Sequence, residues 1–234
     1  MQRDANLRMF DKVKEVFVFK IGILLMDDRK NRLLSVCKFT HTPDMELVFA
    51  TNNTHKIEEV RHLLKNNFHV LSLKDINCND DLPETGNTLE ENALQKAKYV
   101  HEKYKVNCFA DDTGLEIEAL NGKPGVYSAR YAGEEKKSER NIEKALKEMK
   151  HERNRNASFK TIIALIITTK EYLFEGIIDG IILSEPRGKD GFGYDSIFQP
   201  KGCIKSLAEM SFDEKNTSSH RAIAVKKLAE FLSR

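Results

Sequence analysis

Three stretches of this chain hold residue types suited to phosphate and metal chemistry. The first is Thr51-Asn52-Asn53-Thr54-His55-Lys56, a small polar loop after an apolar run. A strand end followed by a helix start presents free backbone N–H groups and the positive end of a helix dipole, a natural seat for phosphate. Lys56 falls in the first helical turn, where a cation opposes that dipole, so a ligand explains it better than the helix does. The plain alternative is a polar loop with Thr54 as N-cap. The loop has none of the glycines of a Walker motif.

The second stretch is Asp111-Asp112, placed straight after the apolar Cys108-Phe-Ala110 at what reads as a strand end. Adjacent carboxylates repel unless a cation or water relieves them. Mg²⁺ would do so, since it takes hard oxygen ligands and bridges to substrate phosphates. A solvated Asp-Asp-Thr-Gly turn is the alternative. Glu84 and Glu91 can supply further acidic ligands, although Glu91 also suits a capping box with Thr88. The third stretch is Gly191-Phe192-Gly193-Tyr194-Asp195, with Lys215, His220 and Arg221 downstream. Flanking glycines permit close approach of a flat ligand, and an aromatic face stacks on any base. A glycine–aromatic bulge and a surface helix turn are the bland readings. Together the three describe a nucleoside triphosphate site with metal-assisted phosphoryl chemistry.

The elements that must position these residues follow an α/β pattern from Glu46 onward. Leu47–Ala50 and Phe68–Leu73 read as strands, with Ile57, Val60 and Leu64 marking a helix between them. Thr88-Leu-Glu-Glu91 opens a second helix carrying Leu89, Ala93, Ala97, Val100 and Tyr104 on one face. Leu115–Leu120 alternates before an Asn121-Gly122 turn, and Ile142, Ala145, Leu146 and Met149 stripe a third helix. Ser158–Thr169 and Tyr172–Leu183 form the strongest hairpin signal, and Val225, Leu228, Ala229 and Leu232 mark a final helix. These predict one α/β domain around a mixed sheet.

Composition excludes several classes. Among 234 residues, 38 Lys+Arg against 36 Asp+Glu give a net charge of +2, too weak a field for a nucleic-acid or anionic-membrane binder. Four scattered cysteines without a C-x-x-C pair fit reduced thiols in the cytoplasm rather than structural zinc. No apolar run is long enough to span a bilayer, so no membrane partner is expected. Residues 1–44 carry nine basic and six acidic residues, whereas the remainder has 29 and 30. The apolar run Val16–Met26 there is broken by Lys20 and followed by charges, unlike a signal peptide. It reads as an extra amphipathic strand or helix or as a segment outside the folded domain, so residues 1–44 are an N-terminal extension, and Met45 is the expected natural start of the domain spanning 45–234.

Taken as strings, the motifs resemble the inosine triphosphate pyrophosphatase family, which includes dITP/XTP pyrophosphatases. The matching segments are Phe49–Lys56, Glu84-Thr-Gly86 with Glu91-Asn-Ala93, Phe109–Gly114, Asn121–Gly133, Gly191–Asp195, Glu214-Lys215 and Ser219-His-Arg221, in family order. The resemblance implies an elongated two-lobed α/β fold around a mixed central sheet, with the active-site cleft between the lobes. It also implies a homodimer and Mg²⁺-dependent hydrolysis of ITP, dITP and XTP to monophosphate and pyrophosphate. By position, Asp112 is implied as catalytic acid–base and metal ligand, with Glu84, Asp111 and Glu91 as further metal-associated carboxylates. Thr51 to Lys56 and Thr113 match the triphosphate side, while Phe192, Gly193, Tyr194, Asp195, Lys215, His220 and Arg221 match the base end. Donors on Lys215 and Arg221 directed at O6 would favour hypoxanthine and xanthine over adenine. Thr113 replaces the usual serine, and Ser196 replaces a proline. A nucleotide sensor without catalysis, or a Mg²⁺-dependent phosphatase of another nucleotide, are the rival readings.

Overall fold

β-Branched and aromatic residues crowd two successive runs of this chain, and those runs form its longest strands. In the computed structural model, which describes residues 16–19, 22–27, 32–37, 46–65 and 68–234, they are β8 (Asn156–Ile167) and β9 (Lys170–Ile182). Their antiparallel register runs unbroken from Asn156↔Ile181 to Ile167↔Lys170, closed by a two-residue turn with Thr168 at φ 59°. Five further strands complete the sheet: β4 (Glu46–Phe49), β5 (His69–Ser72), β6 (Cys108–Ile117), β7 (Pro124–Gly125) and β10 (Phe198–Pro200). The order is β10-β9-β8-β6-β4-β5, with β7 beside β6. β4 pairs in parallel with both β5 and β6, and every other pairing is antiparallel. The fold is α/β with a mixed central sheet.

The helices α1 (Thr54–Leu64), α2 (Leu89–Tyr104), α3 (Ser138–Glu148), α4 (Phe212–Ser218) and α5 (His220–Leu232) cover the sheet. Apolar stripes decide which face α1, α2, α3 and α5 each cover, while α4 packs on α5. Leu89, Ala93, Ala97 and Val100 of α2 pack on Val48, Ala110, Ile162 and Ala164. Val60 and Leu64 of α1 join Val225 and Leu228 of α5 against Phe49, Phe109, Ile163 and Leu165 on the opposite face. A third cluster joins Ala145 and Met149 to Leu115, Ile117, Phe159 and Phe198 near the far ends of the long strands.

One expectation needs correction. Asp111 and Asp112 do not end a strand: Cys108–Ile117 is one ten-residue strand with the pair in its middle. β8 explains the continuity, because it pairs with every residue from Cys108↔Ile166 to Ile117↔Ala157 and supplies the hydrogen bonds that a turn would have lost. The N-cap of α1 is Asn53 rather than Thr54, its Oδ1 accepting from Lys56 N at 3.2 Å. The short helix α4 carries no periodic stripe and is absent from the sequence reading.

Contacts divide the chain into two compact units, Met1–Met45 and Glu46–Arg234. In the first, β1 (Val16–Phe19), β2 (Gly22–Asp27) and β3 (Arg32–Cys37) form an antiparallel meander, so the described residues of the apolar run, 16–19 and 22–26, are strand. The expected start at Met45 lies outside the described residues.

Gly176 on β9 lets the first turn of α5 lie directly on the sheet. A Cβ there would stand 2.0 Å from His220 O and 2.6 Å from Ala224 N. Backbone cannot yield as a flexible side chain can, so Gly176→Ala should displace α5 and cost about 1–3 kcal/mol, as overpacking does. Urea unfolding checks this; a midpoint equal to that of the unaltered chain would refute the close approach.

Candidate active site

β4 stops at Phe49 while β6 runs on to Ile117, so that side of β6 lacks a strand partner between Ala110 and Gly114 among the described residues. Open α/β sheets characteristically bind ligands outside the carboxyl ends of parallel strands. Here that gap is the floor of a cleft of about 650 Å³. The loop Thr51–Asn53 and Lys56 line one side, Glu84, Asn92 and Lys96 another, and Phe192, Gly193, Tyr194, Asp195, His220 and Arg221 a third.

Strand alternation governs the two aspartates. Successive side chains of β6 point to opposite faces, which sends Asp111 toward α1 and α5 and Asp112 toward α2. Asp111 is 1 % exposed, accepting from Lys56 Nζ at 2.9 Å and from Arg221 Nε at 3.2 Å. Its own burial opposes ionisation, but Lys56, Arg221 and Lys96 outweigh it and hold the carboxyl well below the usual range. Asp112 accepts from Lys96 Nζ at 3.1 Å and Asn92 Nδ2 at 3.2 Å, and it faces the cleft. Burial raises its pKa above that of an ordinary aspartate, against the pull of Lys96 and Lys56. The neighbouring carboxylates thus do not share one site, as adjacency in sequence had suggested. One is a fixed counter-ion and the other a cleft-facing acid.

Lys96 also donates to Glu84 Oε1 at 2.8 Å, so one buried ammonium joins Glu84 to Asp112. Burial disfavours the charge on Lys96, yet Asp112, Glu84 and Asp111 raise its pKa above the usual lysine value. Glu91 stands apart: its carboxylate accepts from Asn87 N at 2.6 Å beside the Thr88 cap, and it does not line the cleft. No cluster of three or more His, Cys, Asp or Glu suited to a metal occurs among the described residues. Two carboxylates meeting on a cation do suit Mg²⁺, which is commonly held by one or two carboxylates together with substrate phosphates.

At the other end, Lys215 Nζ donates to Asp195 Oδ2 and to Glu59 Oε1, both at 2.7 Å. Arg221 contacts Glu59 and Asp111, and its Nη2 donates to Thr113 Oγ1 at 3.3 Å. Phe192 lies over both cations, its centroid 4.7 Å from Lys215 Nζ and 5.5 Å from the Arg221 guanidinium carbon, and His55 stacks on it at 5.3 Å. Gly191 at φ 77° leaves room for Asp195, whose Oδ2 would lie 2.3 Å from a Cβ there. Asp195 accepts from Phe192 N at 2.8 Å and so fixes the aromatic loop. Tyr194 is buried, with its hydroxyl donating to Ser128 O. His220 stacks on Phe159 at 4.6 Å, and its Nδ1 is buried without a partner among the described residues. Burial, with Arg221 and Lys215 nearby, drives its pKa well below 6.5, so the imidazole is neutral. Thr54 is exposed and points no partner at the cleft.

Residues 47–231 match the sequence model of the Ham1 family. The chain belongs to that family. It is 54% identical over 190 residues to a dITP/XTP pyrophosphatase of Christiangramia forsetii, covering 81% of this chain and all of that one. A dITP/XTP pyrophosphatase of Bacillus subtilis is 46% identical, over 80% of this chain and 96% of its own. Among solved structures, the Staphylococcus aureus Ham1 protein matches with TM-score 0.73 and 39% identity over 80% of this chain and 98% of its own. A HAM1 protein from Coxiella burnetii matches with TM-score 0.75 and 36% identity over 81% and 98%. The mixed sheet described above is therefore the Ham1 sheet.

The sequence reading missed Lys96, Asn92 and Glu59. All three occupy the buried faces of their helices, where a polar residue needs a partner. Asn92 and Lys96 fall in register with Leu89, Ala93, Ala97 and Val100, and that interruption of an apolar stripe was the available signal.

Glu59 is 4 % exposed and holds both Lys215 and Arg221. Its burial opposes ionisation, but the two cations lower its pKa. Folding thus favours the ionised form. That contribution is complete above the unfolded value of about 4.3 and is lost as pH falls through the lower folded value. Breaking one member of a buried ion network costs about 3–5 kcal/mol, so Glu59→Gln should be destabilised on that scale at pH 7. Urea titrations at pH 7 and pH 3 should show the gap to the unaltered chain narrowing in acid; a gap independent of pH would contradict this account.

Proposed function

We propose that this protein hydrolyses the deaminated purine nucleoside triphosphates ITP, dITP and XTP to monophosphate and pyrophosphate, removing them from the nucleotide pool. The observation that carries the reading is the Glu84–Lys96–Asp112 bridge on the floor of a cleft whose wall is the Asn53-capped start of α1. Carboxylates, lysines and helix N–H groups meeting at one place suit a polyphosphate better than any neutral substrate. Relatives about half identical to this chain and named dITP/XTP pyrophosphatase support the substrate class.

In this reading the triphosphate lies against Thr51, Asn52, Asn53, Lys56 and Thr113, with the base toward Phe192 and Lys215. Glu84 and Asp112 would hold Mg²⁺, which when bound neutralises developing charge on the phosphates. Asp112, which faces the cleft, accepts the proton of the attacking water. Asn92 and Lys96 fix its two oxygens. Asp111, committed to Lys56 and Arg221, has no proton to exchange and keeps the phosphate lysine in place. At the base end Lys215 directs two protons to carboxylates, and its third would reach O6 once the base displaces the Phe192 ring now 4.7 Å from the ammonium. Adenine offers no acceptor there and would strand a buried donor.

Two measurements test the reading. Incubation with dITP, XTP, dATP and GTP should release pyrophosphate from the first two in preference, with turnover lost on chelation and restored by Mg²⁺. Orthophosphate as the first product would favour the rival phosphatase, and binding without turnover would favour the sensor. Asp112→Asn should lower kcat by about 10²–10⁴-fold, the usual worth of a general base, while dITP binding by calorimetry stays within roughly tenfold. Retention of more than about a tenth of kcat, well outside that range, would move the base to another residue.

A further inference from the structure

Five cations line the cleft: Lys56, Lys96, Arg130, Lys136 and Arg221. Three of them are already bound to buried carboxylates. Lys56 is held by Asp111, Lys96 by Glu84 and Asp112, and Arg221 by Glu59 and Asp111. Their charge is largely compensated before any ligand arrives. Arg130 lies with its guanidinium 5.3 Å from the Tyr127 ring and donates to Glu84 O at 3.5 Å. Lys136 is only loosely held. Its side chain is 54 % exposed, and its one ion-pair contact among the described residues is Glu84 Oε2 at 3.6 Å, beyond hydrogen-bond distance, on a carboxylate that already holds Lys96.

Lys136 also has an uncommon backbone. It sits at φ 51°, in the left-handed region that few non-glycine residues adopt. There it ends the turn in which its N–H donates to Gly133 O at 3.3 Å, just before α3 begins. The turn puts Lys136 on the cleft lining beside Glu84, on a segment separate from the Thr51–Lys56 loop.

We propose that Lys136 is a phosphate-binding residue, its ammonium taking the outer phosphates of the substrate from a different segment than Lys56. This rests on the polyphosphate reading above. A polyphosphate oxygen carries more charge than the shared Glu84 oxygen and is free to meet the ammonium at hydrogen-bond distance. The exchange of partners therefore favours the ligand, and Glu84 keeps its bond to Lys96. Because the contact is made to the phosphates alone, Lys136 contributes to binding of the polyphosphate part and nothing to recognition of the base.

The test compares Lys136→Asn, which tolerates the left-handed backbone without the charge, with Lys136→Arg, which keeps the charge. Calorimetry with inorganic tripolyphosphate and with dIMP, both in the presence of Mg²⁺, separates the two ends of the substrate. Lys136→Asn should bind tripolyphosphate about fivefold more weakly, the scale of one partly exposed ion pair, and dIMP as the unaltered chain does. Lys136→Arg should restore tripolyphosphate binding, and the KM for dITP should rise in Lys136→Asn with kcat little changed. Equal tripolyphosphate affinity in Lys136→Asn and the unaltered chain, an equal loss for dIMP, or no rescue by arginine would each overturn the proposal. Failure of the unaltered chain to release pyrophosphate from dITP would instead sink the enzymatic reading, and the tripolyphosphate comparison would still decide Lys136.

Discussion

The site depends on the unbroken pairing of β6 with β8. Because the ladder continues through Asp111↔Ile163 and Asp112↔Ile162, two adjacent carboxylates are forced onto opposite faces of one sheet. A turn at this point would have let both point the same way and repel. The strand instead delivers one carboxylate to each face, at the level where β4 has ended and the sheet edge is open. A single backbone constraint thereby separates the two roles: Asp111 as counter-ion and Asp112 as cleft-facing acid.

Around that strand the charges are organised as alternating chains. On one face Lys56, Asp111, Arg221, Glu59, Lys215 and Asp195 follow one another, each cation between two anions or at an end. On the other, Glu84, Lys96 and Asp112 form a shorter series. Isolated buried charges would be prohibitive, and each member here is tolerated because its neighbours compensate it. The same arrangement holds donors in place before any ligand arrives, which is the preorganisation that electrostatic catalysis requires. His220 stands outside these chains as a neutral ring, its Nδ1 without a partner among the described residues.

Much of this architecture was legible in the residues. The stripes of α1, α2 and α5 and the β8–β9 hairpin follow from periodicity alone, and the three chemical stretches do line one cleft apart from Thr54, His55, Asp111, Glu91, Gly191 and Lys215, which lie behind or beside its surface. What could not be read was the pairing of distant segments. Adjacency of Asp111 and Asp112 suggested a shared cation, and only the register with β8 shows that they diverge. Lys96 and Glu59 looked like ordinary helix charges because their partners lie elsewhere in the chain. Helix α4, seven residues long, is too short for a periodic signal, and a capping box by Ser211 and Glu214 with tertiary contact holds it instead.

The span of these contacts along the chain bears on how the protein comes to exist. Arg221 meets Asp111 across 110 residues and Glu59 across 162. Contacts of such separation carry the largest loop-closure entropy and form late in folding. Helix α5 brings Arg221 and His220 to the cleft, so a nascent or partly folded chain has the Thr51–Lys56 loop without the cleft's far wall. Ligand affinity and completed folding should then arrive together, and nucleotide at cellular concentration would act as a mass-action clamp on the native state alone.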